Sequence, residues 1–86
     1  MNNVEIGKVY RHFKGNYYFV ENIALDSETM ERVVIYKHLA DDSLSKIWTR
    51  TESNFLGEID INRPDNITKQ THRFELCEDL SKNYNK

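Results

Sequence analysis

Residues 10–15 read YRHFKG. Arg11, His12 and Lys14 fall within four positions and bring a planar fork of donors, an imidazole and a compact point charge. Such a trio suits a carboxylate or phosphate, which Arg grips in its plane and Lys attracts as a charge. Gly15 lets backbone come close to whatever is held there. A second block, DSET at 26–29, contributes Ser27, Glu28 and Thr29, with Glu28 as acceptor for a ligand amine or amide. A third pairs Trp48 with Arg50, two positions apart and so on one side of a strand. An indole beside a guanidinium can clamp a flat or cationic ligand by stacking. The candidate ligand-binding residues are therefore Arg11, His12, Lys14, Ser27, Glu28, Thr29, Trp48 and Arg50.

Each cluster also has a purely structural explanation. Tyr10 and Phe13 pack, Arg11 pairs with Glu28 or Glu31, and His12 sits at the surface or the core edge. Asp26, Ser27 and Thr29 bond following backbone N–H groups and shape a tight bend. Trp48 is the largest ring of the core, in which case truncation to alanine costs about 3–5 kcal/mol. No catalytic residue and no metal site is expected. His12, His38 and His72 lack the spacing of a local metal motif. Ser27, His12 and Glu28 have the types of a nucleophilic triad, but types without geometry do not make one. Cys77 is the only cysteine, so an intrachain disulfide is ruled out; it is expected as a small buried apolar residue on or after the last strand.

The elements that must carry these residues read as strands joined by short turns. KVYRHF (8–13) leads into Gly15-Asn16, a dipeptide that tolerates the positive φ of a tight hairpin. On that first strand Tyr10 and His12 share one face, and Val9, Arg11 and Phe13 the other. YYFVENIAL (17–25) is a second strand rich in aromatic and β-branched residues, with Tyr18, Val20 and Ala24 on one side and Asn22 interrupting. After the polar bend 26–32, RVVIYKHLA (32–40) places Val34 and Tyr36 on one face. DDSLSK turns into KIWTRT (46–51). ESNFLGE suggests a short 3₁₀ turn before a fifth strand near 56–61. NRPDNITKQT (62–71) contains the only proline and no apolar period, so it reads as a long exposed hairpin loop. HRFEL (72–76) closes the set, and the polar tail from Glu78 is expected to fray.

Short strands without a long helix imply an all-β fold, and closure would hide edges that so small a chain can hardly cover. The expectation is a small SH3-like barrel of five to six mostly antiparallel strands, with an OB-like barrel as the alternative. Residues 1–77 form the domain and 78–86 its tail. Eighty-six residues suffice for one domain, which buries roughly 65% of its unfolded surface. A net charge of −2 lacks the cationic excess of a general nucleic-acid binder, so nucleic acid is not the favoured partner. The segment MNNVEIGKVY has no basic start followed by an apolar run, so no signal peptide is expected, and no apolar stretch is long enough for a membrane span. One unpaired cysteine suits a reduced, cytoplasmic setting.

YRHFKG, Tyr18 with Val20, Ala24 with Ser27-Glu28-Thr29, Val34 with Tyr36, WxR at 48–50, Phe55 and Arg73-Phe74 come in an order and spacing that resembles the small bacterial family called domain of unknown function 1653. The resemblance spans about residues 7–76. It implies a compact SH3-like β-barrel from bacteria or their phages and no particular activity. The chain departs from the family pattern at Asp26, where histidine is usual, and after Arg50, where Thr51 stands for proline and Asn54 precedes Phe55 in place of methionine. Its 62–71 loop is longer. The resulting expectation is a non-catalytic binding module for a peptide, nucleotide or polar small molecule, without a cofactor, as a monomer or weak dimer. A small enzyme acting on a polar substrate and a nucleic-acid-associated accessory module are the alternatives.

Overall fold

The computed structural model describes residues 3–39 and 46–84. Most of the expected DDSLSK turn and the end of the expected third strand lie outside them. Five strands form one antiparallel sheet: β1 (Val9–His12), β2 (Tyr17–Leu25), β3 (Arg32–His38), β4 (Trp48–Thr51) and β5 (Phe74–Leu76). Their order is β4-β3-β2-β1-β5. The expected barrel is not closed, because β4 and β5 are the two ends of this order and are not hydrogen-bonded neighbours. Both ends are short strands, of four and three residues, which limits the backbone they leave unpaired.

The hairpin turns follow from local chemistry. Gly15 takes φ +105° and donates its N–H to the His12 carbonyl at 2.8 Å. In the β2–β3 bend, the Asp26 carboxylate accepts from the N–H groups of Glu28 (2.8 Å) and Thr29 (3.1 Å). Those two bonds favour the carboxylate form and hold Asp26 below its ordinary pKa.

One face of the sheet is the core. Tyr10, Val20, Val34, Tyr36, Phe55 and Phe74 are buried there together. Residues directly opposite one another share a face, so Val20↔Tyr36↔Trp48 and Ile23↔Val34↔Arg50 all project to the core side. The pairing jumps a position between Val20 and Asn22. This bulge resets the alternation, so Ile23 and not Ala24 continues the inward row begun by Tyr18 and Val20.

Three segments differ from the sequence expectation. ESNFLGE holds one turn of α-helix, α1 (Glu52–Phe55), capped by Thr51, whose hydroxyl accepts from the Asn54 N–H at 3.2 Å. The expected strand at 56–61 shrinks to one bridge, Glu58↔His72. The expected fraying tail is a second helix, α2 (Glu78–Tyr84), packed on β1. Its Ser81 is buried, accepts the Val9 N–H at 2.8 Å and donates to the Cys77 carbonyl at 2.8 Å. Glu78 and Asp79 in its first turn and Lys82 in its last suit the helix dipole.

The 62–71 loop joins the bridged residues Glu58 and His72 and is mostly exposed, as expected, but two of its side chains are buried and order it. Ile67 and Thr68 both donate backbone N–H groups to the Phe13 carbonyl, and Asn66 is 1% exposed. The Asn66 amide donates to the carbonyls of Asp60 (3.1 Å) and Gln70 (2.9 Å), and its oxygen accepts the Gln70 N–H at 3.1 Å. Asn66→Ala would strand these buried groups, so a loss of about 2–3 kcal/mol is expected in urea unfolding. Asn62→Ala, at an exposed position, is expected to change stability by under about 0.5 kcal/mol. Equal behaviour of the two variants would show that Asn66 does not organise the loop.

Candidate functional site

The sheet curls until its ends meet through side chains. The Arg50 guanidinium of β4 lies over the Phe74 ring of β5, 5.5 Å from its centroid. At this seam His12, Tyr18, Tyr36, Trp48, Arg50 and Phe74 line a recess of about 220 Å³. The strand register explains the gathering, since each of the six projects from the core face of its strand near the place where β4 and β5 fail to pair.

Phe74 is the floor. It stacks parallel on Phe55 at 4.0 Å and makes edge contacts with His12 (4.8 Å), Tyr36 (5.5 Å) and Tyr18 (5.6 Å). His12 is 9% exposed, and its Nδ1 accepts the Lys14 backbone N–H at 3.1 Å. The neutral ring therefore carries its proton on Nε2. Burial, and then the charges of Arg50, Lys14 and Arg73, push the His12 pKa down to about 4. Arg50 donates from Nε to the Tyr36 hydroxyl at 2.8 Å and from Nη1 to the Asn54 side-chain oxygen at 2.6 Å. Burial raises the Tyr36 pKa, against the opposing pull of Arg50.

Of the eight residues expected to bind, the structure brings three together: His12, Trp48 and Arg50. Arg11 projects from the opposite face, where its Nε donates to the Gln70 side-chain oxygen at 2.8 Å. It pairs with neither Glu28 nor Glu31. Lys14 is exposed, 3.9 Å from Asp65. Ser27, Glu28 and Thr29 sit exposed on the bend beyond Leu25↔Arg32, whereas Tyr18↔His38 marks the other end of the same hairpin. Sequence reasoning missed Tyr18, Tyr36 and Phe74 as site residues. Their core-face spacing was legible, but a ring in a core and a ring lining a recess share that signal.

Trp48 is 49% exposed on the edge strand, so it is not the central core ring. Trp48→Ala is accordingly expected to cost about 1 kcal/mol, not the 3–5 kcal/mol of a core truncation. Thermal unfolding of that variant checks this, and a collapse of stability would put the indole back in the core.

A wider cleft of about 690 Å³ lies across Tyr10 and Phe74 from this recess and carries Glu5, His72 and Glu75. Much of its polar chemistry is already engaged locally. The Tyr10 hydroxyl accepts the Glu5 N–H at 3.0 Å, and Glu75 Oε2 accepts the N–H groups of Thr71 (3.1 Å) and His72 (3.3 Å). The seam recess differs in that the His12 Nε2, the Trp48 indole N–H and the Tyr18 hydroxyl have no hydrogen-bond partner among the described residues. Among those residues no three His, Cys, Asp or Glu side chains gather into a metal-binding group.

Residues 8–76 match the model of a family described as a protein of unknown function, DUF1653. A similar solved structure is the crystal structure of a DUF1653 protein from Bordetella bronchiseptica, with 27% sequence identity and a TM-score of 0.62, over 87% of this chain and 85% of that one. No curated protein matches the chain.

Proposed function

Because the chain belongs to the DUF1653 family, whose description assigns no activity, we propose from the site alone that it is a non-catalytic module binding a small planar ligand in the seam recess. The observation that carries this reading is that donor side chains without a partner among the described residues line, together with aromatic walls, the seam where β4 and β5 do not pair. Rings supply flat apolar contact, and a few placed polar groups fix orientation, as ligand pockets generally require. A catalytic reading has less support. The described lining residues include no carboxylate and no thiol. Ser27 is on the distant bend, and burial raises the pKa of the half-buried Cys77 thiol at the start of α2.

A nucleic-acid role also has less support. Lys14, Arg63 and Arg73 form a basic cluster, but all three sit around the Phe13 ring, which is 1% exposed. These cations already cover the ring on which a base would stack.

Trp48 is the only tryptophan, so its fluorescence reports occupancy of the recess directly. Fragments with one aromatic ring are expected to change that fluorescence and to shift the amide signals of His12, Tyr18, Tyr36 and Arg50. Trp48→Ala is expected to weaken binding roughly tenfold. Signals that move only on the 26–31 bend or the 62–71 loop would overturn the proposed site.

A further inference from the structure

Resting on that reading, we infer that the recess takes a planar ring carrying an oxyanion, either a carboxylate or a phosphate. Three independent features converge on that chemistry.

The first is the balance of donors and acceptors. Arg50 spends one N–H on Tyr36 and one on Asn54, which leaves three of its five. His12 offers its Nε2–H and Trp48 its indole N–H, and the Tyr36 hydroxyl, whose oxygen accepts from Arg50, keeps its own proton to donate. No carboxylate lines the recess among the described residues. The neighbouring ones are engaged elsewhere: Glu52 holds Arg32 and the Val4 N–H, and Asp65 holds Arg63 and Lys14. A ligand that fits must bring acceptors.

The second feature is uncompensated charge. Arg50 Nη1 donates to the side-chain oxygen of Asn54, and Arg73 Nε donates to the backbone carbonyl of the same residue at 3.2 Å. One neutral residue thus pins two guanidiniums side by side. Neither is in an ion pair among the described residues, although the whole chain carries a net charge of −2. Like charges held together favour an anion, and a guanidinium grips an oxyanion with paired, charge-assisted bonds.

The third feature excludes the opposite charge. Trp48, Tyr18, Tyr36 and Phe74 by themselves resemble the aromatic walls that hold quaternary ammonium groups. Here Arg50 already lies over the Phe74 face, so a second cation would meet both an occupied ring and a repelling charge.

Benzoate, phenyl phosphate and benzyltrimethylammonium, each at millimolar concentration, separate the outcomes. The oxyanions are expected to shift Trp48 and His12 signals and to raise the His12 pKa on binding, because a nearby anion favours imidazolium. Whichever of the two binds more tightly identifies the oxyanion. Arg50→Gln is expected to weaken that binding roughly tenfold or more. Arg73→Gln, which leaves the Arg50–Tyr36 bond in place, is expected to weaken it less but measurably. If benzyltrimethylammonium occupies the recess and the oxyanions do not, the recess is a binding site but the ligand class is wrong. If none of the three shifts the recess residues of the folded protein, the binding reading falls as well.

Discussion

Phe55→Ala is expected to cost about 3–5 kcal/mol and to leave a large fraction of molecules unfolded at 37 °C. Phe55 is fully buried and stacks on Phe74 with a 3° interplanar angle. It also makes edge contacts with Tyr10 at 5.2 Å and Tyr36 at 5.4 Å. From α1 this one ring touches β1, β3 and β5, so its removal opens a cavity bordered by three strands. A domain of this length has about 4–13 kcal/mol of stability in all. Urea unfolding measures the change directly. A loss below about 1.5 kcal/mol would mean that α1 does not close the core.

Acidification is expected to destabilise the fold between about pH 6.5 and pH 4, by up to about 3 kcal/mol. The folded His12 pKa of about 4 lies below the ordinary value of 6.5. Within that window the unfolded chain binds a proton that the folded chain refuses, so stability rises with pH there and is lost as pH falls. Below the window the His12 contribution levels off. Asp26 and Asp65, whose pKa values are also lowered, then lose stabilising interactions as they protonate at more acidic pH. His12→Gln is expected to flatten the upper window and leave the acidic limb unchanged. A direct NMR titration that found His12 near 6.5 would remove the basis of this expectation.

The parts of the fold legible in the sequence were those written in local patterns. β2 ends where its aromatic and β-branched run ends, and Gly15 marks its hairpin. Val34 with Tyr36, and Trp48 with Arg50, share faces as alternation requires. Alternation failed at Ala24, because a bulge adds a residue without changing residue types. The 62–71 loop was legible as an exposed connection, but its internal order was not, because that order comes from the side chains of Asn66 and Gln70 reaching backbone groups, a device with no period. The second helix was misread because a contact that docks it on β1, the buried Ser81 hydroxyl, leaves no apolar signal in the sequence. At the site, polar types drew attention to His12, Trp48 and Arg50, while Arg11 and Glu28 had the same appeal and went elsewhere. What separated them was the face of the strand and the end of the hairpin, and both depend on how the sheet curls.

The strand order also governs how the chain assembles during synthesis. β1 pairs on one side with β2, which follows it after a four-residue turn, and on the other with β5, through Tyr10↔Leu76. The hydrogen bond from Val9 to Ser81 spans 72 residues. A chain emerging from the ribosome can therefore zip β1 to β4 by successive hairpins, while one side of β1 stays bare until β5 and α2 have been made. For that interval an inner strand behaves as an edge, with unsatisfied backbone and the buried faces of Val9 and Tyr10 open to other chains. The few residues of β5 and α2 thus determine whether a nascent molecule closes on itself or meets its neighbours first.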